Sequence, residues 1–231
     1  ALAVAGPACA QQIELKPVAE ARLRYEHVDQ DGLAQQADAL TVRARAGLTA
    51  TSGALSATLV GQGTLAVIDR YFDGFDNAAI RPLVADPQNV ALYIAQLQYR
   101  TKALTLTGGR QKIVLDDERF VGNVAFRDNG QTFDAVRAEL TPAQGLKLDV
   151  SYAWSVRTIW GVQGKGARQQ AVSGDNILAN LSYVTPLGTL SGFAYLVDQD
   201  EAAVQAYRLS SQTYGVRLAG SQPLSKNSKL A

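Results

Sequence analysis

Arginine is the residue whose placement in this chain could do chemistry. Arg22 and Arg24, and again Arg43 and Arg45, stand two apart in segments that alternate apolar and polar residues, so both members of each pair leave the same face. Arg137, Arg157 and Arg217 are expected to join that face from later segments. Guanidinium groups gathered on one side bind carboxylate or phosphate through paired hydrogen bonds. Like charges on neighbouring strands also repel. Two readings therefore stand side by side. The arginines are compensated by Glu20, Glu26, Glu139 and Asp149, or they form a positive surface that selects anions.

The densest chemistry lies in 109–133, GRQKIVLDDERFVGNVAFRDNGQTF. Asp116, Asp117, Glu118, Arg119, Arg127 and Asp128 are interleaved with Ile113, Val114, Leu115, Phe120, Val121, Val124 and Phe126. A solvated connection has no reason to be this apolar, so the stretch is expected to fold onto the polar face of the sheet as a constriction. Clustered carboxylates also suit a hard cation such as Ca²⁺, although the spacing matches no EF-hand. Catalysis has little support. His27 is the single histidine and sits at the end of an apolar face. No Ser-His-Asp set or metal-ligand cluster is visible, and GVQGKG (Gly161–Gly166) lacks the strand-turn-helix context of a phosphate loop. The chain reads as a non-enzyme that needs no cofactor and no metal.

The elements that must position these groups are strands. Leu146, Leu148, Val150, Tyr152, Trp154 and Val156 alternate strictly with Lys147, Asp149, Ser151, Ala153 and Ser155. That is about eleven residues, the length of a tilted strand crossing a bilayer. The pattern recurs in 18–28, 39–51, 54–68 and 90–100, and more loosely in 103–111, 131–140, 175–185, 188–198 and 211–220. Two strands are irregular. Simple alternation puts Arg110 among the apolar Leu104, Leu106 and Gly108, and Phe133 and Val136 cannot share a face across Asp134. A β-bulge near each is expected to re-aim them. Tight turns at 51–53, 101–102, 141–145 and 185–188 alternate with long polar connections at 69–90, 111–130, 157–175 and 198–210. Outer-membrane barrels sort their connections in this way, whereas a soluble β-sandwich has no reason to.

Composition agrees. The 231 residues are 47% hydrophobic and 19% charged, with a mean hydropathy of -0.05. A barrel whose strands alternate averages out near zero, and no run is long enough for a spanning helix. A net charge of +1 argues against nucleic acid as a partner. Residues 1–10 read as the tail of a signal peptide with an Ala8-Cys9-Ala10 cleavage site, and 11–231 as one partial barrel domain. The expected fold is an all-β, antiparallel, up-and-down transmembrane β-barrel of about ten strands.

The runs RLRYEHVDQDG (Arg22–Gly32), VRARAGL (Val42–Leu48), GGRQKIVLDDERFVGNVAFRDNGQTFDAVRAELTP (Gly108–Pro142) and LDVSYAW (Leu148–Trp154) resemble the alginate export family of bacterial outer-membrane proteins. The resemblance implies a monomeric eighteen-stranded barrel, of which this chain is a fragment. It implies an arginine-lined, anion-selective lumen that passes the polyuronate alginate, with periplasmic secretion partners and outer-membrane lipid around it. By position it carries the pathway onto Arg24, Arg43, Arg45, Arg110, Arg119 and Arg127, to which the alternation adds Arg22, Arg137 and Arg157. The constriction falls by resemblance to Asp116, Asp117 and Asp134, and the loop's own composition adds Glu118. The competing expectations are a general or sugar-acid-selective porin for small anionic solutes on the same scaffold, and a structural or enzymatic barrel.

Overall fold

The computed structural model describes residues 12–76, 78, 80–200, 209–225 and 228–230. The expected signal remnant and Cys9 lie outside them. Ten strands follow one another: β1 (Glu14–Val28), β2 (Ala37–Ser52), β3 (Leu55–Arg70), β4 (Asn89–Arg100), β5 (Leu104–Gln111), β6 (Thr132–Ala143), β7 (Leu146–Arg157), β8 (Ala171–Thr185), β9 (Gly188–Gln199) and β10 (Ser211–Ala219). They form one sheet in sequence order, and every neighbouring pair is antiparallel. The backbone of Gln222–Ser225 and Ser228–Leu230 forms a separate two-stranded ribbon, β11 and β12.

All ten expected strands are present, and the short connections all fall at one end. Ser52 pairs with Leu55 across a turn whose Gly53 has φ 57, and Thr185 pairs with Gly188. Left-handed backbone at such turns favours glycine. One expected turn is shorter than drawn. β6 continues through Thr141 and Pro142 to Ala143, which pairs with Leu146 after a register irregularity. Proline has no N–H to give a ladder, so the pairing is interrupted there rather than ended.

The sheet is apolar outside and polar inside. Leu97 is 68% exposed and Val216 77%, whereas Thr64 is 1% exposed. Leu23, Leu59, Leu65, Val90, Val136, Ile177, Leu181 and Tyr214 continue the outward surface. Arg43, Gln62, Gln111, Asp149, Asn176 and Asn180 are buried on the other side. A soluble sandwich would bury the first set and hydrate the second. An apolar surface of this extent far exceeds the few hundred Å² that a water-soluble monomer tolerates, so its solvent is lipid. The charged inner face is stable because the wall and an inward-folded connection supply partners for it.

Bulges occur, and one falls at an expected site: the β6–β7 register shifts between Asp134 and Ala135, with the extra residue on β7. Between Val60 and Gly61 the pairing skips Tyr93 of β4; between Leu40 and Thr41 it skips Val67 of β3; between Ala153 and Ser155 it skips Trp154 of β7. The β5–β6 register is unbroken from Leu104–Leu140 to Gln111–Phe133. Phe133 and Ala135 therefore turn inward into a buried cluster, and Asp134 and Val136 turn outward, while the slip opposite them is taken up by β7.

Candidate functional site

The connection 112–131 between β5 and β6 crosses the inner side of the sheet, and its composition explains the crossing. Its first half is apolar because it packs on the wall. Ile113, Leu115 and Val121 are buried with Phe133, Ala135, Ala153, Leu178 and Tyr195 of β6 to β9. Asp116 accepts a hydrogen bond from Asn180 Nδ2 at 2.7 Å, and Arg217 of β10 lies 3.8 Å from Asp116 and 3.5 Å from Asp117. The Glu118 carboxylate accepts the backbone N–H of Asn123 at 3.0 Å and closes the loop on itself. Val124 has φ 54, a conformation that a β-branched residue holds only when its surroundings over-determine it.

The second half lies against β1, β2 and β3, and the arginines hold it there. Arg22 donates to the carbonyls of Ala125 at 3.0 Å and Phe126 at 2.9 Å. Arg43 Nη1 reaches the Asp128 carbonyl at 3.3 Å, and its other terminal nitrogen is paired with Glu20. Arg45 donates to Gln62 at 2.7 Å, pairs with Glu20 at 3.3 Å, and stacks its guanidinium 3.8 Å from the Tyr93 ring centroid. The bulge at Tyr93 is what brings that ring onto the inner side.

Asp86 and Asp128 are the hub. Both are fully buried. Asp86 pairs with Arg24 and with Arg127, the latter at 3.4 Å, and accepts the Asp128 N–H at 2.7 Å. The Asp128 carboxylate accepts from the Thr41 hydroxyl and lies 3.7 Å from Arg22. Arg24 and Arg127 also share Glu26. Burial pushes the Asp86 carboxyl above the ordinary carboxylate range even though Arg24 and Arg127 pull the other way. Asn129 completes the seam: it accepts from Gln62 at 3.1 Å and Thr64 at 2.9 Å, and donates to the Pro87 carbonyl at 2.8 Å.

Of the nine arginines singled out in the sequence, the structure gathers Arg22, Arg24, Arg43, Arg45 and Arg127 here. Arg137 is on the inner face further round, paired with Asp149 at 2.6 Å and Glu139 at 3.4 Å. Arg119 is exposed on the loop, its backbone N–H 3.4 Å from Asp117. Arg110 and Arg157 are not brought in. Register pairs Arg110 with Ala95 and Asp134, on the face that carries Leu97, Leu106 and Val136. There Asp134 lies 2.7 Å from Arg110 and 3.2 Å from Arg157. The β5–β6 register is unbroken and the slip beside Asp134 is carried by β7, so nothing turns these three inward, and Asp134 neutralises outer-face arginines rather than a constriction.

Alternation places Thr41, Gln62 and Thr64 on the inward face but gives them no role, and Asp86 and Asn129 stand outside the candidate residues of the sequence. Asp86-Pro87 and Asn129-Gly130 carry a local signal as chain-reversing residues. Their chemistry comes from positions far apart in sequence. Solvent exposure then divides the cluster. Arg43 is 5% exposed at its side chain and Arg22 30%, while the carboxylates of Asp86 and Asp128 are withdrawn completely. Arg43 Nε, Arg45 Nη2 and Asp128 Oδ1 are buried without a hydrogen-bond partner.

No family model matches this sequence and no curated protein does, so the resemblance to the alginate export family finds no support from either. Solved structures do match. OccAB1 of Acinetobacter baumannii superposes with a TM-score of 0.64 at 15% identity, over 93% of this chain and 50% of that one. OccAB3 of the same organism gives 0.57 at 14%, over 93% and 54%. The chain thus spans about half the length of the structures it matches. Both belong to a group of outer-membrane porins. At this identity the likeness is one of fold, and together with the inside-out sheet it makes this chain ten consecutive strands of a porin-type outer-membrane β-barrel wall.

Proposed function

We propose that the protein is a passive channel of the bacterial outer membrane for small anionic solutes, narrowed by the inward connection 112–131. The observation that carries this reading is the asymmetry of burial in the Arg22–Arg24–Arg127 cluster. Its two hub carboxylates, Asp86 and Asp128, are sealed behind the loop, while the guanidinium of Arg22 stays in part open to the interior. A passing solute meets the cation first. Glu20 and Glu26 moderate the field, which keeps an anion from binding so tightly that it cannot leave.

A polyuronate chain is a poor fit. The arginines that would grip it along β1 and β2 are engaged by loop carbonyls and acids, and the loop itself lies across the route. The porin reading for small solutes is therefore preferred to alginate export.

Planar-bilayer recordings of the complete barrel under a KCl gradient test this. A reversal potential on the chloride side is expected, moving toward zero in Arg22→Gln. A small monocarboxylate should carry current, and oligomannuronate should neither pass nor block. A reversal potential at zero in the wild type would remove the anion preference. Block by the oligomer that is lost in Arg22→Gln would restore the polyuronate reading.

A further inference from the structure

The outward face carries a groove that the channel does not use. Leu97 and Tyr99 of β4, Leu106 of β5, Val136 of β6 and Tyr152 of β7 wall a trench of about 520 Å³ with Gly108 at its floor. A side chain is missing there for no local reason. Gly108 is not in the left-handed region, and a Cβ on it would meet only Val136 Cγ1, at 3.9 Å. A larger residue would fit and would fill the trench.

Arg110, Asp134 and Arg157 stand on the same face, toward the end of the strands that bears the long connections. Ala95, Arg110, Asp134 and Ser155 are successive register partners, and Gly108 and Val136 are a register pair one step below. One carboxylate serves two guanidiniums, so the cluster is cationic. Arg110 is used up: Nε and Nη2 donate to Asp134 at 2.7 and 2.8 Å, and Nη1 donates to the Leu92 carbonyl at 3.1 Å. Arg157 donates only Nε to Asp134, at 3.2 Å. Among the described residues its two terminal nitrogens have no acceptor, and its side chain is 35% exposed. On the lipid side a charge costs little only near the interface, where headgroups begin. An anion there would meet a planar fork suited to phosphate.

From the groove and the cation at its head together, we propose a binding site for a phosphorylated lipid of the outer leaflet. One acyl chain lies in the Gly108 trench, and the headgroup phosphate accepts from Arg157 beside the Arg110–Asp134 pair. The site rests on the orientation of the barrel in its membrane and not on which solute passes through it.

Native mass spectrometry of the complete barrel tests it, with bis-phosphorylated lipid A and with the same lipid after removal of its phosphates. The wild type is expected to retain the phosphorylated form about tenfold better, the scale of a charge-assisted bidentate contact. Arg157→Gln should abolish that preference and leave Arg110–Asp134 paired. Gly108→Leu should lower retention of both lipids. Bilayer conductance and heat-modifiable migration should be unchanged in both variants, which shows that they fold. Equal retention of the two lipids by the wild type, or full preference in Arg157→Gln, would overturn the site. So would altered ion selectivity in Arg157→Gln, because it would place that guanidinium in the pore.

Discussion

Asp86 and Asp128 matter more to this protein than any single arginine, because each is a fully buried carboxylate on which cationic partners depend. Removing one partner of a buried pair leaves the other uncompensated, which costs about 3–5 kcal/mol. Asp128→Ala strands Arg22 and Thr41, and is expected to loosen the loop by about 3 kcal/mol. Limited proteolysis on intact cells should then cut within 112–131, where the wild type resists. Asp86 gives a pH dependence whose sign can be worked out. Its folded pKa is raised, so the folded state holds this proton more firmly than the unfolded chain. The stability it contributes is present below the unfolded pKa and lost as pH rises through the folded one. At neutral pH its ionised form is therefore a cost to folding that Arg24 and Arg127 offset only in part. Acidification through a range above the usual carboxylate values neutralises Asp86 without destabilising the barrel through this group, and leaves Arg24 and Arg127 with Glu26 as the acid they share. Anion selectivity in bilayers is expected to step up in that range, and Asp86→Asn should show the higher selectivity at all pH values with the step gone. A step that survives in Asp86→Asn would assign the titration elsewhere.

At the scale of the element, the strands follow from alternation, but their irregularities come from neighbours. Gly109 has φ 109, and a Cβ there would lie 2.3 Å from the Ala95 carbonyl oxygen. Gly109→Ala is therefore expected to destabilise the barrel by about 1–3 kcal/mol in urea unfolding. Gly108→Ala, whose Cβ would meet only Val136 Cγ1 at 3.9 Å, should be close to neutral. Equal effects would mean that the chain bends there for another reason. The bulges at Val67 and Tyr93 had no signal in the sequence because each depends on the register of the strand beside it, and the one expected at Asp134 is carried by the facing Trp154. Expecting Arg110, the partner of Asp134, to be re-aimed by a bulge rested on the premise that a charge cannot face outward. A paired charge near the interface can, and the bidentate contact between these two residues removes the need for a kink.

For the molecule as a whole, the proposed channel has its bore set by the inward connection. Replacing 114–127 by a short Gly-Ser linker is expected to raise single-channel conductance severalfold and to erase ion preference, because the loop supplies both the narrowing and the seal over Asp86. Unchanged conductance would show that the loop lies aside from the route. By itself the sequence determined the ten strands, their antiparallel order, the end that carries the long connections, and the inward folding of an apolar, charge-rich loop. Each of these follows from period-two patterning and turn chemistry, which act between near neighbours. Only the tertiary structure decided which charges meet. Arg22 finds Asp128 more than a hundred residues away, Arg24 finds Asp86, and Arg110 and Arg157 leave the interior for the outer face. Parity along one strand assigns a face, but partners across a barrel are fixed by register and by a loop that reaches from one wall to another, and neither is written in local spacing.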